Sequence, residues 1–394
     1  LKHGIASLFQ GAWAAAALLA FSSCGAKPKD ATPYVWKLPP GFPVPKVPAS
    51  NPMSQEKVAL GRYLFYDKNL SGNQTEACAT CHEQAHAFTD TRQRGLGSTG
   101  LSTIHNSMSL TNVAYNNVST WWNPTVTSLE LQAQGPMFNT SPPELGLSGL
   151  DDVVLTRLRG EPNYPAMFAD AFPGESDPFS IANVIAAIAS FERTLISGNS
   201  PYDKWRYQNG AALSQAAMRG QSLFNSEACE CYHCHGGLNF TDDFANEQTT
   251  LSAAPYHNTG LFNIGGTGAY PTGDTGKLMI TGNPMDMGAF RAPTLRNTAY
   301  TAPYYHDGTA ETLAQVLANY QHGGREIYWG PDKGNGALSP TKGPFVRGFP
   351  EQATVDGVSY TSDEMVTDLL AFLDTLNDPE FVSNPDFSDP NAAR

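Results

Sequence analysis

Apolar residues recur with a helical period in four stretches of the chain, and that period predicts four amphipathic helices. In IANVIAAIASFERTL (181–195), Ile181, Val184, Ile185, Ile188, Phe191 and Leu195 fall on one face. DEMVTDLLAFLDTL (363–376) does likewise with Met365, Leu369, Phe372, Leu373 and Leu376. MSQEKVALGRYLF (53–65) and LSQAAMRGQSLF (213–224) both open with Ser-Gln after one apolar residue and both close Gly-x-x-Leu-Phe. Ser54 and Ser214 are their expected N-caps. Long alternation of apolar and polar residues is absent, so the fold is predicted to be mainly α with extended loops.

The four helices belong to a repeat. A short loop after each Ser-Gln helix comes a Cys-x-x-Cys-His, CATCH at 78–82 and CYHCH at 231–235. Long loops and a closing helix follow each. This duplication implies two tandem cytochrome c-like domains, 51–200 and 201–394, meeting at the polar turn cluster SGNSPYDKW (197–205). Ahead of them, Lys2 and His3 precede an apolar run, Ala12–Phe21, too short to cross a bilayer. Residues 1–26 therefore read as an export signal, which predicts a periplasmic protein. FSSC (21–24) also resembles an imperfect lipoprotein signal, which would make Cys24 a lipid anchor. In 27–50, the stretch LPPGFPVPKVPAS is too rich in proline for helix and reads as an extended tether.

Charge narrows the function. A formal net charge of −13 over 394 residues argues against nucleic acid as a partner, because phosphate binding needs clustered Lys and Arg. The cysteines narrow it further. In Cys-x-x-Cys-His two sulfurs form thioethers with a haem and the adjacent His reaches the iron. Cys78, Cys81 and His82 would hold one c-type haem, and Cys231, Cys234 and His235 a second. Zinc held by the four cysteines is the alternative, but the pairs lie about 150 residues apart and each is followed by His. Cys229 and His233 fall outside the second motif, and Cys229 reads as a small buried residue.

Function then turns on the other face of each iron. His86 and His105 are available to the first haem; Met279, Met285, Met287, Tyr320 and His322 are available to the second. Residue chemistry alone does not choose among them. However, HNSMSLTNVAYN (105–116), WNPTVTSLELQAQGPM (122–137), GNSPYD (198–203) and FRAPTLRNTAYTAPYYHDGTAETL (290–313), with both haem motifs, resemble the bacterial di-haem cytochrome c peroxidase and MauG superfamily. In that family the distal ligand of the second haem lies fourteen residues beyond the His of the PYxH segment. Counted from His306, that position is Tyr320. Methionine there marks ordinary peroxidases and tyrosine the MauG-like branch. A phenolate stabilises oxidised iron, whereas methionine raises the potential.

The resemblance implies further roles. Trp122 matches the tryptophan between the haems that relays an oxidising hole, and Glu130 lies in the matching SLExQ. Gln132, Pro136 and Glu144 match the distal pocket of the first haem, with Glu144 as general acid/base. The distal His of many family peroxidases has no match around Ser98, which implies a first haem open without activation. Asn106, Thr301 and Pro303 match the ligands of a calcium ion between the domains. Within the MauG-like branch, CYHCHGGLNFTD is most similar to MbnH-type enzymes. These use hydrogen peroxide to reach a high-valent di-haem state that oxidises tryptophan of a copper-binding, MbnP-like partner to kynurenine. Two other readings stand beside this one. One is a peroxidase that reduces hydrogen peroxide with electrons from a small redox protein; the other is a di-haem electron carrier.

Overall fold

A computed structural model describes residues 30–249, 251 and 253–392. The export-signal stretch 1–26, with Cys24, lies outside the described residues. The chain is mostly helical, with two small antiparallel pairs of strands, Glu326–Ile327 with Gly334–Asn335 and Gln352–Val355 with Val358–Thr361.

Four helices build two similar crossings. Gln55–Tyr66 packs on Ile181–Glu192, and Gln215–Phe224 packs on Ser362–Asp374. The Ser54 side chain accepts the Lys57 N–H, and that of Ser214 accepts the Ala217 N–H, which satisfies one orphan donor in each first turn. The glycine of each Gly-x-x-Leu-Phe marks the closest approach. A Cβ on Gly61 would meet the Ala187 carbonyl oxygen at 1.8 Å, and one on Gly220 would meet that of Asp368 at 1.9 Å. Only glycine lets the backbones lie this close.

The loops repeat as well. Leu-x-Asn-x-Ala-Tyr occurs at 110–115 and 295–300, and both asparagines adopt the left-handed conformation, φ 58° at Asn112 and 65° at Asn297. Asn112 N–H donates to the Leu195 carbonyl at 2.9 Å, and Asn297 N–H to that of Leu376 at 3.1 Å. Each closing helix is thereby tied to the loop that follows its own Cys-x-x-Cys-His.

Burial is divided among three clusters. The first joins Leu60, Leu64 and Phe65 to Val184, Ile188 and Phe191. The second joins Leu223 and Phe224 to Met365, Leu369, Phe372 and Leu376. A smaller one, Leu261, Phe262, Tyr270 and Phe290, is packed against Trp121 and Trp122. Two segments run across these clusters. The Pro-rich stretch is extended, but it is a strap rather than a free tether. Phe42 is buried against Tyr115, and the Pro43 carbonyl accepts the Tyr115 hydroxyl at 2.7 Å. Near the other end, Phe381 and Phe387 leave the second half and enter the first cluster. Arg62 donates to the carbonyls of Pro385 and Ser388, both at 2.6 Å, which fixes that crossing.

Candidate functional site

Each Cys-x-x-Cys-His lies on a single helical turn, Cys78–Cys81 and Tyr232–His235, with the histidine at its end. His82 donates from Nδ1 to the Phe88 carbonyl at 2.8 Å. His235 does the same toward the carbonyls of Phe240 at 3.2 Å and Pro293 at 3.1 Å. With Nδ1 engaged, Nε2 is left as a lone pair directed away from the backbone. Burial lowers the pKa of both imidazoles, and a neutral ring is the form that ligates iron.

The His82 cavity, about 50 Å³, is lined by Cys78, Cys81, Gln132, Pro136, Glu144 and Glu192 among others. Gln132, Pro136 and Glu144 thus line one cavity with His82. Pro136 sits inside the Leu129–Phe138 helix, whose start is set by Ser128 accepting the Leu131 N–H. The Pro136 carbonyl accepts the Leu145 N–H at 2.8 Å, which pins Glu144 beside it. Burial raises the Glu144 carboxyl above its ordinary range. Glu130 is different in kind: Arg193 reaches both of its oxygens at 2.7 Å, and Asn51 donates at 2.8 Å. Its burial would raise the pKa, yet these donors hold it low.

Sequence reasoning missed Glu192. It is 5% exposed, lines the same cavity, and has one carboxyl oxygen with no hydrogen-bond partner. Burial, opposed by Arg193, pushes its pKa up to about 8. It falls on an apolar helix face where a carboxylate is unexpected, and that misfit was the available signal. Among the described residues, no histidine other than His82 lines this cavity. His86 is half-exposed beside Glu83, and His105 is bound to Asp274 at 2.7 Å elsewhere. Met137 is its one thioether, and that side chain is packed into the first cluster.

The His235 cavity is larger, about 260 Å³, and Tyr320 lines it together with His235, Cys231 and Cys234. Tyr320 sits at the end of the Leu313–Gln321 helix, whose N-cap Thr312 and Gln315 form a reciprocal capping box. Of the other ligands considered, Met279, Met285 and Met287 do not line the cavity, and His322 is turned back onto the Ala318 carbonyl. Burial, with Tyr305, Cys234 and Cys231 nearby, raises the Tyr320 phenol well above its ordinary range. A phenolate there requires a cation to hold it, so the donor set fits an iron better than a free anion.

The cysteines also fit haem better than zinc. Burial raises the pKa of Cys78, Cys81 and Cys231, Cys81 to about 12, whereas zinc needs thiolates. Among the described residues the four sulfurs do not gather into one metal-sized group. A thioether is neutral and suits these positions.

Trp122 lines neither cavity and packs on His105 with ring centroids 4.3 Å apart. His105 donates to Asp274, which also lies 3.5 Å from His306. Its neighbour Trp121, not singled out from the sequence, lines the His235 cavity with its Nε1 buried and unpartnered. Asn106, Thr301 and Pro303 line that cavity too. The side-chain oxygen of Asn106 and the carbonyls of Thr301 and Pro303 accept no hydrogen bond among the described residues. Three unclaimed oxygens suit a hard cation.

A family model described as di-haem cytochrome c peroxidase matches residues 55–212. Cytochrome-c peroxidase IdrP1 of Denitromonas iodatirespirans is 36% identical over 352 residues, covering 85% of this chain and 88% of that protein. Methylamine utilization protein MauG of Methylorubrum extorquens is 32% identical over 353 residues, covering 89% and 86%. The crystal structure of a MauG-like protein associated with microbial copper homeostasis superposes with a TM-score of 0.85. It shares 43% identity and covers 91% of this chain and 99% of that one. The family implies two c-type haems and a peroxide-dependent reaction, and the paired cavities with their histidines suit both. The chain belongs to the di-haem cytochrome c peroxidase and MauG family of oxidoreductases.

Proposed function

We propose that this protein uses hydrogen peroxide to oxidise aromatic side chains, tryptophan foremost, of a separate exported protein in the periplasm. The observation that carries the reading is Tyr320, which shares a cavity with His235, while the His82 cavity offers no second histidine. Cys78, Cys81 and His82 would hold one haem in a 51–200 domain, and Cys231, Cys234, His235 and Tyr320 the other in a 201–394 domain. When bound, each haem supplies an iron that exchanges single electrons, and an iron with one open face also takes peroxide.

The side chains divide the remaining work. Glu144, whose carboxyl burial raises above its ordinary range, takes a proton from one peroxide oxygen and returns it to the other so that water can leave. Gln132 hydrogen-bonds the peroxide and Pro136 closes the pocket above it. Tyr320 as phenolate favours the oxidised state on its side, which suits storage of an oxidising equivalent over entry of electrons. Trp122, packed on His105, passes a hole between the two sides. Asn106, Thr301 and Pro303 would hold a calcium ion there. The relative associated with copper homeostasis supports a copper-binding, MbnP-like substrate with kynurenine as the product.

The similarity to IdrP1 favours a second reading, reduction of peroxide with electrons from a small redox protein. One experiment separates the two. Peroxide is added to the haem-loaded protein with candidate exported proteins and with a reduced cytochrome, and products are read by mass spectrometry and absorbance. Oxygen insertion at Trp or Tyr of a partner supports the first reading. Rapid cytochrome oxidation without any insertion establishes the second.

A further inference from the structure

Haem attachment leaves one cysteine and one histidine of CECYHCH unused, and their surroundings separate them. Cys229 is a core residue, with Sγ 3.9 Å from the Met365 sulfur and its thiol pushed up to about 12 by burial. His233 is placed otherwise. Its ring stacks on Tyr232, at 4.1 Å, and on Phe345, at 3.9 Å and nearly parallel. Its Nε2 is buried with no hydrogen-bond partner, a costly arrangement for a nitrogen that has lost its water.

Two carboxylates converge on that nitrogen. One ligand atom from each of Glu227, Glu230 and His233 lies within 4.8 Å of the other two. Glu230 is 8% exposed, and its partner is Arg347 at 3.6 Å, beyond hydrogen-bonding distance. Arg347 is itself 68% exposed, and its Nε donates to the Pro344 carbonyl at 2.8 Å. Glu227 is exposed and touches the Tyr232 hydroxyl.

We propose that Glu227, Glu230 and His233 bind one divalent first-row transition cation beside the segment that carries Cys231 and Cys234. The inference does not depend on what the protein oxidises. The ligand set selects the cation. Calcium and magnesium take all-oxygen shells, so an imidazole nitrogen argues against both. Cys229 faces the core, so no thiolate is available to recruit a soft monovalent ion. One nitrogen and two carboxylate oxygens suit zinc, nickel or cupric ion, with cupric ion held most tightly. Two carboxylates match a charge of +2, and the cation replaces Arg347 as the counter-charge of Glu230. Metal–ligand bonds of roughly 2 Å require the three atoms to close up. Glu227, on the surface, is the one that moves, and the remaining coordination position stays open to water.

The test uses the haem-loaded protein in excess calcium, titrated with Zn²⁺ in a calorimeter. One equivalent is expected to bind, and Cu²⁺ to displace it. The Cu²⁺ form should show coupling to a single imidazole nitrogen by electron paramagnetic resonance. Glu227→Gln, Glu230→Gln and His233→Asn should each weaken Zn²⁺ binding about tenfold or more. Unchanged haem spectra in the variants establish that they fold. Should His233→Asn disturb haem attachment, surface Glu227→Gln still reads the site. The proposal is overturned by absence of a Zn²⁺ equivalent, by its loss to calcium competition, or by full affinity in both glutamate variants.

Discussion

The two cavities are built by the same sequence repeat yet lined in opposite ways. Around His82 the wall carries three carboxyl groups, Glu76, Glu144 and Glu192, of which Glu76 and Glu192 each hold a buried, unpartnered oxygen. Around His235 the wall carries Tyr320, Tyr304, Tyr305, Phe290, Phe345 and Trp121. On the proposed reading, the first moves protons and the second holds electron deficiency. Duplication supplied the frame, with glycine crossings, capped helices and asparagine turns in both halves, while the lining residues diverged. Division of labour is therefore a property of side chains and not of architecture.

The strongest challenge to this contrast is Tyr320→Met. Exchanging phenolate for thioether should raise the midpoint potential of the His235 side by on the order of 100 mV or more, within the roughly 0.8 V that axial ligands command. Oxidation of the protein substrate should fall with it. Spectroelectrochemistry reads the first and mass spectrometry the second; an unmoved potential removes Tyr320 from the ligand set.

Glu144→Gln tests the other side. Loss of the proton carrier should slow the reaction with peroxide about 10²- to 10⁴-fold, while the spectrum of the His235 side stays as it was. Stopped-flow absorbance decides it, and a rate within about threefold of the parent would transfer the role to another acid. Glu192 is the natural heir.

Glu192→Gln sharpens the comparison through stability. The folded protein raises this carboxyl from 4.5 to about 8, so the folded state keeps a proton that the unfolded chain releases. Its stabilisation is complete below pH 4.5 and is lost as pH climbs toward 8, at roughly 1.4 kcal/mol for each unit between the two values. The total is on the order of a few kcal/mol. The amide is neutral throughout, so the variant's melting temperature should lack that decline. Parallel pH profiles for parent and variant would show that Glu192 ionises freely.

Much of this was legible in the sequence because local physics wrote it there. Period 3.6 placed the four main helices, Ser54 and Ser214 marked the starts of two of them, and Cys-x-x-Cys-His marked the histidines. Tyr320 was readable by resemblance, and it lines the same cavity as His235. Other features depend on approach between distant segments. Whether Glu192 faces solvent or a cavity is set by the Leu129–Phe138 helix that packs on its own helix. Trp121 and Trp122 are adjacent, so periodicity could not say which would border the His235 cavity. The metal-ligating group was half visible, since 227, 230 and 233 are three residues apart, but only the Phe345 stack shows His233 turned toward the two glutamates.

The crossing of Phe381 and Phe387 into the first cluster has a consequence for how the molecule is made. A ribosome delivers residues 51–200 long before residue 388 exists. The first half must wait for residues 381–388, which supply two aromatic rings and both carbonyl anchors of Arg62. Its hydrophobic interior stays without that cover during the interval. The late-arriving segment is thus a closing stitch, and it orders assembly in time as well as in space.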